Sequence, residues 1–155
     1  MAKQALPVTR VGSRPARRNN RPLEVEYVPV SNLRPDPRPQ RKHSQRQLAN
    51  LAGSISRFDI IRPLLVTDDN IVLDGNAVLD VLRKEGRDTV PVIRIRGYSA
   101  LELRALQMAL NRIGEHATWD IEVLSTDFTA LLADPEIELS LDFTGFDSVF
   151  IDRIT

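Results

Sequence analysis

Two apolar runs of three residues, Leu64-Leu65-Val66 and Ile71-Val72-Leu73, enclose the turn residues Asp68, Asp69 and Asn70. Runs this short, with a polar turn between them, predict a hairpin of short buried strands. The flanking segments have helical spacing instead. Leu48, Leu51, Ala52 and Ile55 fall at i, i+3, i+4 and i+7 behind Ser44, which stands at capping-box distance from Gln47. After the hairpin, Asp74-Gly75-Asn76 opens a second helix with Val78, Val81 and Leu82 on its inner face, and Gly86 occupies the position of a left-handed C-cap. Upstream, Leu23 to Val30 alternates apolar and acidic residues, which predicts a half-buried strand. Val90 to Ile95 predicts another, with Arg94 and Arg96 exposed. Pro35, Pro37 and Pro39 make the segment before the first helix an extended, stiff loop. Strands interleaved with helices in this order predict an α+β core with a small mixed sheet and flanking helices.

The remaining third reads as helical. Ser99 and Glu102 form a second capping-box pair, and Leu103, Leu106, Leu110 and Ile113 give the helix they open an apolar stripe. Thr118 is the expected cap of a further helix from Trp119 to about Leu132, stopped by Asp134-Pro135. The segment after it is expected to be loop, with a last helical turn around Val149 to Ile154. The divisions are a basic arm (1–22), a core (23–97) and a helical extension with tail (98–155).

Charge follows those divisions. The chain of 155 residues is neutral overall, yet residues 1–22 carry +6, residues 23–97 carry +2 and residues 98–155 carry −8. The composition of the arm predicts disorder, and its Arg14, Arg17, Arg18 and Arg21 suit nucleic-acid phosphates. The arm could equally lie on the chain's own acidic end. That end is expected to face a protein partner or a second copy. Zero cysteines exclude disulfides, thiolate metal sites and cysteine nucleophiles. No run of about 18 apolar residues is present to span a membrane, and no secretory segment is visible, so a cytoplasmic setting is expected.

The order of parts resembles the ParB/sulfiredoxin-like domain. The residues that carry the likeness are Leu33-Arg34-Pro35-Asp36-Pro37, Arg41-Lys42-His43, Leu51-Ala52-Gly53-Ser54-Ile55, Pro63-Leu64-Leu65-Val66, Leu73-Asp74-Gly75-Asn76 and Val90-Pro91-Val92. Ala109-Leu110-Asn111-Arg112, Trp119-Asp120 and Thr144-Gly145-Phe146 resemble the helical extension of the branch associated with DNA-modification methyltransferases and phage proteins. The resemblance spans about residues 24–150. It implies a ParB/sulfiredoxin-like core followed by a helical extension. In ParB proteins that domain binds and hydrolyses a nucleoside triphosphate and clamps DNA. Sulfiredoxins use a cysteine to phosphorylate a sulfinic acid, and other members have been called nucleases. The fold by itself does not choose among these.

The resemblance assigns residues one by one. Arg41, with Lys42 beside it and Arg38 before it, matches the arginine after the proline loop. Its planar fork suits phosphate, and Arg34 joins it as a candidate DNA contact. The family's second element reads Gly-His-x-Arg, Gly-Glu-Arg-Arg or Gly-Cys-His-Arg. Here it is Gly75-Asn76-Ala77-Val78. Gly75 still permits backbone approach to a phosphate at a helix N-terminus, but Asn76 has no titratable group and Val78 has no charge. Sulfiredoxin chemistry is excluded, and hydrolysis loses both its ionisable group and its cation. Asn76 is read either as the helix cap or as a ligand contact. Asn111 and Arg112 match the third element, whose asparagine in ParB helps hold the metal–nucleotide complex. Asn111 is otherwise a polar residue of a final helical turn. The implied cofactor is CTP or ATP with Mg²⁺.

Other candidates carry less. His43 is an exposed loop residue or a phosphate contact, and His116 has no evident catalytic partner. Asp68-Asp69-Asn70 is turn chemistry before it is a metal site, and Trp119 is a helix anchor before it is a stacking platform. No protein metal site and no catalytic residue are expected. The glycine-rich S-adenosylmethionine loop and the Pro-Pro tetrad of amino-methyltransferases are missing, so the chain is expected to be a stand-alone accessory subunit or a degenerate or truncated relative. Three readings follow: a non-catalytic DNA-associated accessory module, a nucleoside triphosphatase or nuclease, and a protein-interaction scaffold.

Overall fold

The computed structural model describes residues 22–134 and 141–155. Strand β1 (Val25–Pro29) runs into a 3₁₀ turn at Val30–Asn32 and the proline loop. Helix α1 (Gln45–Phe58), the hairpin of β2 (Leu64–Val66) and β3 (Val72–Asp74), helix α2 (Asn76–Lys84) and strand β4 (Thr89–Arg94) complete the core. Helices α3 (Ala100–Ile113), α4 (Ile121–Ala133) and α5 (Ser148–Ile154) follow. The arm with Arg14, Arg17, Arg18 and Arg21, and Pro135, lie outside the described residues.

The four strands form one mixed sheet in the order β1-β4-β2-β3. β4 is antiparallel to β1 and parallel to β2, and β2 is antiparallel to β3. The parallel pair is reached through β3 and α2, the crossover that parallel pairing requires. Leu64, Val66, Val72, Leu79, Leu82, Val90 and Val92 are buried, and Ile55 brings α1 onto the same cluster. The expected inner face of α2 omits Leu79, which is fully buried, whereas Val78 is only half-buried. A second small cluster, Phe128, Leu141 and Ile151 with Phe143 and Phe146, binds α4 and α5 together. Phe143 also meets Phe58 of α1 edge-on, which ties this cluster back to the core.

Three expectations need correction. Arg94 is not exposed. Its side chain is 11% accessible, pairs with Glu26 of β1, and donates to the Thr67 carbonyl and the Asn70 side chain. It therefore fastens the hairpin turn to the sheet, a long-range role that strand alternation cannot reveal. The cap of α4 is Asp120, not Thr118. A carboxylate accepts from the N–H groups of both Glu122 and Val123, and the helix starts two residues later than expected. The stripe of α3 is half-buried at Leu103 and Leu106 and open to solvent beyond them. Ile113 is 70% accessible and Leu110 is also exposed, while the one buried residue is Gln107.

Helix α1 ends at Asp59, whose φ of 60° and ψ of −165° belong to a region open essentially only to glycine. An exposed ion pair to Arg87 offsets little of that strain. Asp59→Gly is expected to raise stability by about 1 kcal/mol, read as a higher urea midpoint with an unchanged m-value.

Candidate functional site

The proline loop turns inward at Asp36, which is buried. Its carboxylate accepts from Arg104 Nη1 at 2.9 Å, from Gln107 Nε2 at 2.9 Å and from the Arg38 N–H at 2.9 Å. Gln107 Nε2 also donates to the Leu73 carbonyl, and Arg104 Nη2 donates to the Arg38 carbonyl. Burial alone would push the Asp36 carboxyl up. The Arg38 N–H, the Gln107 amide and the Arg104 charge outweigh it and hold the group below its ordinary value. Gln107 interrupts the apolar stripe of α3 because it reaches this acid.

Asn76 completes the arrangement. Its Oδ1 accepts from the Asp36 N–H at 2.9 Å, and its Nδ2 donates to the Val72 carbonyl at 3.1 Å. The reading of Asn76 as the helix cap is therefore corrected. Gly75 is the N-cap, and Asn76 is the first residue of α2, with its amide bound to backbone of the loop and of β3. Gly75 has φ 101°, and a Cβ there would stand 2.7 Å from Leu64 Cγ. Glycine is required by the packing of the turn on β2 before any ligand is considered. Helices α1, α3, α4 and α5 are each capped by a side chain, from Ser44, Ser99, Asp120 and Asp147, whereas α2 has none.

This uncapped end opens into a cleft of about 200 Å³. Its lining brings together four of the residues singled out by sequence: Arg41, Gly75, Asn76 and Asn111. His43, Arg62 and Asp74 also line it. Arg41 Nη1 pairs with Glu115 Oε1 at 2.9 Å and reaches the Asn111 carbonyl at 3.4 Å. Glu115 also accepts from Arg112, and chiefly that hydrogen bond holds its carboxyl below the usual range. His43 pairs with Gln47, and Asn111 Nδ2 donates to Gln40 at 3.5 Å. Arg38, Lys42 and Arg112 are not part of the lining. Arg34 lies at the hairpin turn, donating to the Asp69 carbonyl at 2.6 Å. The loop's four bases are thus strung from the hairpin to the end of α3.

Sequence reasoning did not single out Asp36, Gln107, Arg104 or Arg62. The available signal was a lone glutamine inside an apolar helical stripe and an acid between prolines. Among the described residues, no group of three His, Asp or Glu side chains gathers to hold a metal, and no helix is long and apolar enough to cross a membrane.

A four-stranded mixed sheet with an uncapped, glycine-opened helix facing an arginine loop defines a class of small α+β domains. Comparison with known proteins specifies it. The family model "ParB N-terminal domain" matches residues 15–112, and the chain belongs to that family. The ParB-like nuclease domain-containing protein YnaK of Escherichia coli K12 is 31% identical over 75 residues, 48% of this chain and 86% of that protein. The C-terminally truncated chromosome-partitioning protein ParB from Caulobacter crescentus, complexed with CTP-gamma-S, superposes with a TM-score of 0.66 at 18% identity. That match covers 84% of this chain and 76% of the other.

Asn76→Ala leaves the Asp36 N–H and the Val72 carbonyl without partners and is expected to cost about 2–3 kcal/mol in denaturant unfolding. Because the folded pKa of Asp36 is depressed, the stability it contributes is present above its unfolded value and is lost as pH falls through the folded value. Asp36→Asn should therefore be less stable at pH 7 and show a shallower loss of stability below about pH 4, measured by unfolding at stepped pH.

Proposed function

We propose that this chain is a DNA-associated accessory module of the ParB-like family that binds the phosphates of a nucleoside triphosphate, CTP or ATP, without hydrolysing it. The observation that carries this reading is the uncapped N-terminus of α2 opening into a cleft that holds Arg41, Arg62 and Asn111. Free N–H groups and the helix macrodipole at such an end favour an anion. The complex of the Caulobacter crescentus ParB with CTP-gamma-S makes a cytidine triphosphate the first ligand to test.

The proposed lack of turnover follows from what the acids and amides already do. Asp36 is occupied by Arg104, Gln107 and the Arg38 N–H, Asp74 pairs with Arg62, and both ends of the Asn76 amide are bound to backbone. None of them offers a poised general base. Asn111 brings a neutral amide, so Mg²⁺, which prefers carboxylate and phosphate oxygens, would be held mainly by the ligand's own phosphates. The cleft is smaller than the roughly 300–1,000 Å³ of pockets that enclose drug-sized ligands. It suits the phosphate chain, with the nucleoside at its mouth.

Lys42, Arg38 and Arg112, outside the lining, are proposed to contribute long-range attraction only. Contact with DNA is assigned to Arg34 and to Arg14, Arg17, Arg18 and Arg21 of the arm, whose charge supports it. The acidic helical end, with Trp119, Val123 and Val149 exposed, would meet a protein partner or a second copy. A cytoplasmic setting, alongside a DNA-modification or phage system, follows from the proposed ligands and from the likeness of residues 109–146.

Calorimetry with CTP and ATP, with and without Mg²⁺, tests the ligand. Arg41→Ala should weaken binding about tenfold or more, since hydrogen bonds to a charged group contribute roughly 1.5–3 kcal/mol. No binding by the parent chain would remove the reading. For DNA, affinity should fall steeply with salt. Deleting residues 1–22 should lower the slope of log K against log salt by about 0.9 for each phosphate that the arm neutralises. An unchanged slope would remove the arm from the interface.

A further inference from the structure

The lining of the cleft includes a cation that the family's glycine motif does not account for. Arg62 stands immediately before Pro63 and β2, and it lines the cleft together with Asp74, Gly75 and Asn76. Its side chain is 78% accessible. Its one polar contact among the described residues runs from Nη2 to Asp74 Oδ2 at 3.0 Å. An exposed ion pair of this kind contributes little to stability, so the guanidinium is oriented without being locked. A guanidinium carries five N–H donors in a rigid fork. One is spent on Asp74, and others remain for an anion.

Building on the nucleotide-binding reading above, we propose that Arg62 is the residue that grips the phosphates at the Gly75 turn. It supplies the positive charge that Val78 cannot, and Asp74 orients it. Asp74 alone would repel a polyphosphate at this turn. With Arg62 between them, the acid becomes the anchor of the cation that meets the ligand. Arg41 enters the same cleft from a separate loop, where Glu115 and the Asn111 carbonyl hold it. Two arginines from separate segments suit a chain of phosphates better than a single one. The site should therefore select a nucleoside triphosphate over the monophosphate through Arg62.

The test is calorimetric titration of the full chain with CTP and with CMP in the presence of MgCl₂, for the parent, Arg62→Ala, Arg62→Lys and Lys84→Ala. Lys84 lies at the opposite end of α2 and controls for the loss of one positive charge. Arg62→Ala is expected to weaken CTP binding about tenfold or more, with a much smaller change for CMP. Arg62→Lys should recover part of the loss, because a lysine keeps the charge but not the fork. Lys84→Ala should stay within about twofold of the parent. Thermal midpoints matching the parent's in all variants would show that the loss is not unfolding. If the parent binds CTP and Arg62→Ala binds it within about twofold, the role of Arg62 is overturned while the cleft reading stands. If the parent binds neither nucleotide, the cleft reading fails and this assignment fails with it.

Discussion

Asp36 is an acid taken out of water in the middle of a loop that cannot form regular hydrogen-bonded structure, and the site depends on how that cost is met. Three donors from two segments converge on its carboxylate, and its own N–H is received by Asn76. A buried charge is stable only when it is paired and hydrogen-bonded, so the loop, the first residue of α2 and the middle of α3 must be in register together. Gln107 extends the same network to the Leu73 carbonyl beside the hairpin. With the loop fixed at Asp36, the next few residues carry Arg41 out over the end of α2, and the cleft exists because the loop is held there.

The same interactions decide what the cleft can do. An asparagine at position 76 is spent on joining loop to sheet, so this position has a structural duty. The helix end beneath it remains uncapped and attractive to anions. Arginines remain at the rim, each steered by an acid: Arg41 by Glu115, and Arg62 by Asp74. In the proposed function, attraction for phosphate lies in parts that do not coincide with the glycine motif. Attachment without turnover is what the proposed function expects of that separation.

Much of the fold was legible because its signals are local. The hairpin turn, the Ser44 and Ser99 caps and the left-handed Gly86 all depend on neighbours within a few residues, and each appears as read. What was not legible depends on partners far along the chain. Arg94 looked exposed because its carboxylate and carbonyl partners lie 24 to 68 residues away. Asn76 resembled a cap because the backbone N–H its Oδ1 receives, that of Asp36, lies 40 residues away. The apolar stripe of α3 did not reveal the part played by Gln107, because the acid it reaches, Asp36, lies 71 residues away. Among the candidate residues, Arg41, Gly75 and Asn111 were found through their likeness to a family. Arg62 was passed over because it lies outside the quoted motifs and enters the cleft only through the three-dimensional course of the chain.

The central claim is attachment without turnover, and a single-turnover experiment addresses it most directly. The chain, in excess over labelled CTP with Mg²⁺, would be collected with its bound nucleotide and the label identified. The account predicts that label is retained and recovered as intact triphosphate, with DNA present or absent. Retained label recovered as diphosphate, or label that is not retained at all, would contradict it.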